Sequence, residues 1–219
     1  MFFFELLQVA LGVRDRLSAS PSEVEWADIF QQSGRQTLIG IAFCGVERLP
    51  QEQRPPKELI YKWFSRSAWV ERQNEKKNHI CIEVQKWFGE NGFPSCILKG
   101  QGLAQYYDQP LRRQSGDIDI WVKGGWQKVL KFVYSFGVKR KAVYHHVDFG
   151  RIDGVNIEVH FTPSWMYNPF KNYYLQKWFK SKEEQQFAHK PKIQTNKHKT
   201  DSNNTSTRVK LEHSNNHSI

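Results

Sequence analysis

No apolar run in this 219-residue chain reaches the roughly 18 residues that a membrane-spanning helix needs. The N-terminal stretch MFFFELLQVALGVR is apolar, but no basic segment precedes it and Glu5 sits inside it. That fits an amphipathic helix better than a secretory leader. Cysteine is scarce. Cys44, Cys81 and Cys96 are odd in number and lack the spacing of metal-binding pairs, so they read as reduced, buried thiols of a cytoplasmic protein. No internal repeat is present. Acids are in deficit, 22 against 32 Lys and Arg, for a formal charge of +10. Six Lys/Arg and two Asp/Glu of that balance lie in residues 190–219, which leaves +6 on the rest. A moderately basic body suits a protein that binds a polyphosphate at least as well as one that binds nucleic acid.

Aromatic residues are plentiful at 14%. Three regions follow from the pattern: 1–92, 93–189 and 190–219. The first is helical. Leu6, Leu7, Ala10 and Leu11 mark one stripe, and PSEVEWADIF predicts a helix capped by Ser20 or Ser22. After Pro55-Pro56, Leu59, Ile60, Trp63, Phe64, Ile80, Val84, Trp87 and Phe88 keep helical spacing, as one helix or two, until NGFP stops it. The second region changes period. SCILKG, DIDIWV, AVYHHVDF and VNIEVHF read as strands, RIDG as a turn, GLAQYY and Trp126 to Phe136 as helices. This predicts an α/β (α+β) fold, a small mixed sheet with flanking helices and a helical N-terminal region. A short aromatic helix follows near 165–180. Residues 190–219 hold only Ile193, Val209, Leu211 and Ile219 as aliphatics and predict a disordered polar tail.

The strand SGDIDIWV carries two acids in an apolar setting. Alternation puts Asp117 and Asp119 on one face and Ile118, Ile120 and Val122 on the other, with the two Cα atoms roughly 6.5–7 Å apart. Carboxylates so placed repel unless a cation lies between them. In VNIEVHF, Glu158 and His160 share a face in the same way. If the two strands pair, three carboxylates converge on an oxygen-rich site suited to Mg²⁺. Asp148, on VDF, is the competing third acid, with Glu158 preferred. His145 and His146 are adjacent, and strand alternation would send them to opposite faces. Upstream, ILKGQGLA runs from strand through glycine into helix. Gly100 allows close backbone approach to an anion, Lys99 offers a point charge, and Arg112 or Arg113 offers a fork for phosphate oxygens.

LKGQGLAQYY, then RRQSGDIDIWV, then IEVHF resembles the polymerase-β-type nucleotidyltransferase superfamily, in particular its uncharacterised bacterial branch. The likeness covers about residues 95–162. It implies that Asp117, Asp119 and Glu158 are the metal-binding catalytic acids. It also implies that Lys99, Gly100, Gln101, Arg113, Ser115 and Gly116 belong to the nucleotide-binding motifs. The implied cofactor is Mg²⁺, as two ions, and the implied reaction moves a nucleoside monophosphate from an NTP to an acceptor of unknown identity: protein, RNA or small molecule. Gln101 stands where Ser or Gly is usual, and Glu158 where Asp is usual. Relatives of this branch continue into a longer helical C-terminal region, whereas here a polar tail begins near residue 190, which predicts a shortened or impaired enzyme. The alternative is a nucleotide-binding or antitoxin-associated module that keeps the fold without turnover. A metal-dependent phosphohydrolase ranks lower, because the sequence lacks its His-rich ligand clusters. The expected setting is cytoplasmic, with no membrane association.

Overall fold

The computed structural model describes residues 2–188; the tail predicted for 190–219, and residue 189 before it, lie outside the described residues. Two compact units are present. The described residues up to Lys76, with Tyr106–Ser115, make the first; Lys77–Gln105 and the described residues from Gly116 make the second.

The first unit is helical: α1 (Phe2–Ala10), α2 (Glu23–Arg35), α3 (Ile39–Arg48) and the first part of α4 (Lys57–Glu90). Ser22 begins α2. Its Oγ accepts from the Glu25 N–H, while the Glu25 carboxylate accepts from the Ser22 N–H at 2.8 Å, a reciprocal cap. Trp26 and Phe30 of α2 meet Trp63 of α4 edge-on. The buried Trp63 indole N–H donates to the Ile39 carbonyl at 2.9 Å, so the bulkiest core side chain also satisfies its polar atom. The apolar spacing over 57–90 resolves into one 34-residue helix.

The second unit holds a four-stranded sheet, β1 (Ser95–Ile97), β2 (Ile118–Val122), β3 (His146–Ile152) and β4 (Val155–His160), in the order β1-β2-β4-β3. β2 and β4 are parallel; the other two pairings are antiparallel. This is the mixed α/β sheet expected from the alternating patterns. Between these strands lie α5 (Lys99–Ala104) and α6 (Gly125–Ser135), and α7 (Pro169–Ala188) follows. One sheet face carries Ile118, Ile120, Val122, Val147, Phe149, Ile157 and Val159. It packs on Ile80, Cys81, Val84 and Phe88 of α4 and on Val129, Leu130 and Val133 of α6. The predicted RIDG turn narrows to Asp153-Gly154, both at positive φ (+50° and +77°), the tight loop that best suits strand twist. Arg151 and Ile152 therefore belong to β3. The opposite sheet face carries the acids. Its Trp121 is buried against Phe179 and Phe187 of α7, which closes that end of the face from water.

Candidate functional site

Register decides which acids meet. Asp119 of β2 lies directly beside Glu158 of β4, and Trp121 beside His160. Across the other edge of β4, Glu158 faces Asp148 and His160 faces His146 of β3. Period 2 then places Asp119, Glu158, Asp148, His160 and His146 on one face. Asp119 is 5% exposed and His160 fully buried, which is costly for polar groups unless they are paired. They are paired. The His160 Nε2 lies 2.8 Å from Asp119 Oδ1 and 3.5 Å from Glu158 Oε2. The Lys99 ammonium stands 3.0 Å from the same Asp119 oxygen. Burial pushes the Asp119 carboxyl up, but the hydrogen bonds from His160 and Lys99 outweigh it and hold the group below its ordinary range.

A turn between β1 and α5 places Lys99. The Leu98 N–H donates to the Asp119 carbonyl at 2.8 Å, extending the β1–β2 ladder by one bond. Lys99 itself sits at φ +40°, where a residue with a Cβ pays about 1–2 kcal/mol. Gly102 then packs so tightly that a Cβ there would lie 2.6 Å from the Ile97 carbonyl oxygen. The GxG of the sequence thus has one glycine at the turn and one at a backbone contact.

The histidines break the alternation expected of them. His146 opens β3, but His145 lies in the bend before it, so the strand rule does not apply to it. Both rings turn toward His160, with centroids 5.3 Å (His145) and 5.0 Å (His146) from it. Burial drives the His145 pKa down to about 4, helped by the neighbouring histidines and Lys99; burial also lowers that of His146. Among the described residues, two groups bring ligand atoms within 4.8 Å of one another: Asp119, Glu158 and His160; and His145, His146 and His160.

Asp117 is not in either group. It is exposed, just ahead of β2, and its charge acts on Lys77 of α4, whose pKa burial lowers. Gly116 beside it is exposed, with open space where a Cβ would project. Gln101 is buried, and its amide donates to Asn78 Oδ1 at 2.5 Å. Asp148 accepts from the Gly150 N–H at 3.0 Å and lies 3.5 Å from Arg140, so this carboxylate is held apart from the cluster. Arg113 and Ser115 belong to the first unit. There Asn74 of α4 donates to the Leu111 and Arg113 carbonyls at 2.6 and 2.9 Å and accepts from the Ser115 hydroxyl at 3.3 Å. The Arg113 guanidinium lies over the Tyr107 ring. Arg112 is paired with Glu47 and Glu71. Asn74, Lys77 and Asn78 gave no signal in the sequence: each is one polar residue on a long helix, and the loop and strand residues named here as their partners lie more than twenty residues away. On the histidine side, Tyr144 and Phe161 continue into a cavity of about 830 Å³, which Trp126, Tyr134, Lys141 and Trp165 also line.

The family described as "Uncharacterised nucleotidyltransferase" matches residues 22–199. The chain belongs to this nucleotidyltransferase family. No curated protein and no solved structure matches it. Membership in the nucleotidyltransferase family supports nucleotidyl transfer as the general role and a nucleotide as substrate. In this nucleotidyltransferase no described helix is long and apolar enough to cross a membrane.

Proposed function

We propose that this protein moves a nucleoside monophosphate from an NTP to an acceptor hydroxyl with the help of Mg²⁺. The observation that carries the reading is the in-register pairing of Asp119 and Glu158 on parallel neighbours, with their oxygens converging beside a lysine. The donor set suits the ion, since two carboxylates supply hard oxygens and Asp119 already faces a positive charge in the Lys99 ammonium. Asp119 and Glu158 would hold Mg²⁺, with Asp117 contributing from the start of the strand. When bound, Mg²⁺ would neutralise charge on the phosphates and lower the cost of the entering and leaving oxygens.

The chain's own part is positioning and charge. In the proposed step, the acceptor oxygen bonds to the α-phosphorus and the bond to the bridging oxygen breaks, so pyrophosphate leaves; the hydroxyl proton passes to a site carboxylate. Lys99 is more than half exposed on a flexible stem, so it reaches either Asp119 or a phosphate oxygen. Gly100 gives the phosphates a bare backbone to approach, and Gln101, tied to Asn78, fixes the helix behind it. His160 fixes the orientation of Asp119. The cavity beside Tyr144 and Trp165 offers flat aromatic walls for a base or an aromatic acceptor.

The test is incubation of the purified protein with each α-labelled NTP, Mg²⁺ and cell extract. Label should pass to one acceptor with release of pyrophosphate, and the double variant Asp117→Asn, Asp119→Asn should abolish both. Transfer that persists in the double variant would sink the mechanism. Binding of NTP and Mg²⁺ without release of pyrophosphate from the NTP, whichever acceptor is supplied, would favour the non-catalytic binding module instead.

A further inference from the structure

We propose that His145, His146 and His160 form a three-imidazole site for a borderline divalent transition-metal ion such as Zn²⁺, with Asp119 and Glu158 orienting two of the rings. It shares Asp119, Glu158 and His160 with the transfer reading but uses ring nitrogens as ligands where that reading uses carboxylate oxygens. Three observations carry it. First, each ring brings a nitrogen within 4.8 Å of the other two. Second, Nδ1 of all three histidines is buried and has no hydrogen-bond partner, and His160 as a residue is fully buried. An orphaned ring nitrogen in the interior loses its hydration without replacement, and the three rings lie 4.5–5.3 Å apart centre to centre, so one shared ligand would satisfy them together. Third, the other nitrogen of His160 is already committed. Ionised Asp119 can only accept, so at 2.8 Å the His160 Nε2 is the donor, which in the neutral ring leaves the lone pair on Nδ1. The His146 Nε2 faces Glu158 Oε2 at 3.5 Å, a longer contact than that of His160 with Asp119. A carboxylate on one ring nitrogen, fixing the tautomer so that the other can ligate, is the usual support of a metal-binding histidine.

Imidazole favours Zn²⁺ and its neighbours over Mg²⁺, so the ion class follows from the donor atoms. Tetrahedral ligation at about 2.0–2.1 Å per nitrogen sets nitrogen pairs about 3.3 Å apart. The rings, 4.5–5.3 Å apart centre to centre, reach that spacing by side-chain rotation. His145 lies in the bend before β3, where its carbonyl accepts from the Phe161 N–H at 3.0 Å. Three protein ligands leave a fourth position for water or a phosphate oxygen.

The experiment is a Co²⁺ titration of the metal-stripped, full-length protein, followed by visible absorption. The expected result is saturable binding of one Co²⁺ with the intense bands of a low-coordinate ion, bleached by Zn²⁺ and unmoved by a large excess of Mg²⁺. His145→Gln and His146→Gln should each weaken it at least about tenfold, and Asp119→Asn about 10–100-fold through loss of ring orientation. Asp117→Asn, which bears only on the transfer reading, should leave it unchanged. Binding that is equally tight in the two histidine variants overturns the proposal, because the ion would then sit elsewhere. Should those variants misfold by circular dichroism, the wild-type spectrum decides: weak octahedral bands, or displacement of Co²⁺ by Mg²⁺, overturn it equally.

Discussion

Gly102→Ala and Gly89→Ala are the same chemical change in two helices of one unit, and the structure gives them opposite signs. At Gly89, near the end of α4, nothing lies within 4 Å of an added Cβ and the residue is exposed. Alanine there removes backbone freedom from the unfolded chain and should stabilise by up to about 0.5–1 kcal/mol. At Gly102 the added carbon meets the Ile97 carbonyl oxygen at 2.6 Å and its carbon at 3.3 Å. Relief needs a separation of roughly 0.6 Å or more between α5 and β1, and overpacking of this kind costs about 1–3 kcal/mol. The helix gain of about 1 kcal/mol offsets only part of this, so the net change is destabilising by up to about 2 kcal/mol. For a chain of this size each kcal/mol moves Tm by about 2–4 °C, so thermal unfolding followed by circular dichroism resolves the pair. The functional effect should exceed the thermal one. Lys99 begins α5, and misplacement by a fraction of an ångström weakens a reaction that depends on alignment, by up to about 10²-fold for 1 Å. A Gly102→Ala variant as stable as the wild type, with Gly89→Ala no more stable, would refute the reasoning.

Three further outcomes are expected. Lys99→Met should raise KM for the NTP more than it changes Tm, because the ion pair with Asp119 is half open to water and contributes little to folding, about 0–1 kcal/mol; a change confined to Tm would contradict this. Asn74→Ala should destabilise by several kcal/mol in urea unfolding, since two carbonyls lose their donor at about 1–3 kcal/mol each; a change below about 0.5 kcal/mol would count against it. Without added metal, stability should fall as pH drops from about 6.5 toward about 4, the ordinary and folded pKa values of His145, because the unfolded chain takes up that proton first. His145→Gln lacks this share, so its stability should fall less over the same window; parallel curves for the two proteins would remove His145 as a cause.

The period-2 arrangement of DIDIWV and IEVHF made the strands and the polar face legible, because side-chain alternation is a local property. Register was not legible. That Asp119, rather than Asp117, stands beside Glu158 follows from how β2 and β4 align, and no local pattern encodes that alignment. The histidine pair misled for a related reason. Alternation holds only inside a strand, and β3 starts one residue after His145. The break at NGFP was readable from turn chemistry, whereas the continuity of α4 was not, since apolar spacing alone allows one helix or two. Asn74 and Asn78 act through partners remote in sequence, where composition carries no signal.

The parallel pairing of β2 with β4 also sets a timetable for biosynthesis. Asp119 leaves the ribosome well before Glu158, with α6 and β3 emerging between them. Until β4 is made, β2 has only the three-residue β1 beside it, and its other edge is open and apolar. The β3–β4 hairpin closes locally through Asp153-Gly154 and can dock on that edge as a preformed piece. Ribosome stalling within α6 or β3 would therefore expose a sticky edge and leave the acids apart, so nascent chains arrested there should depend most on chaperones.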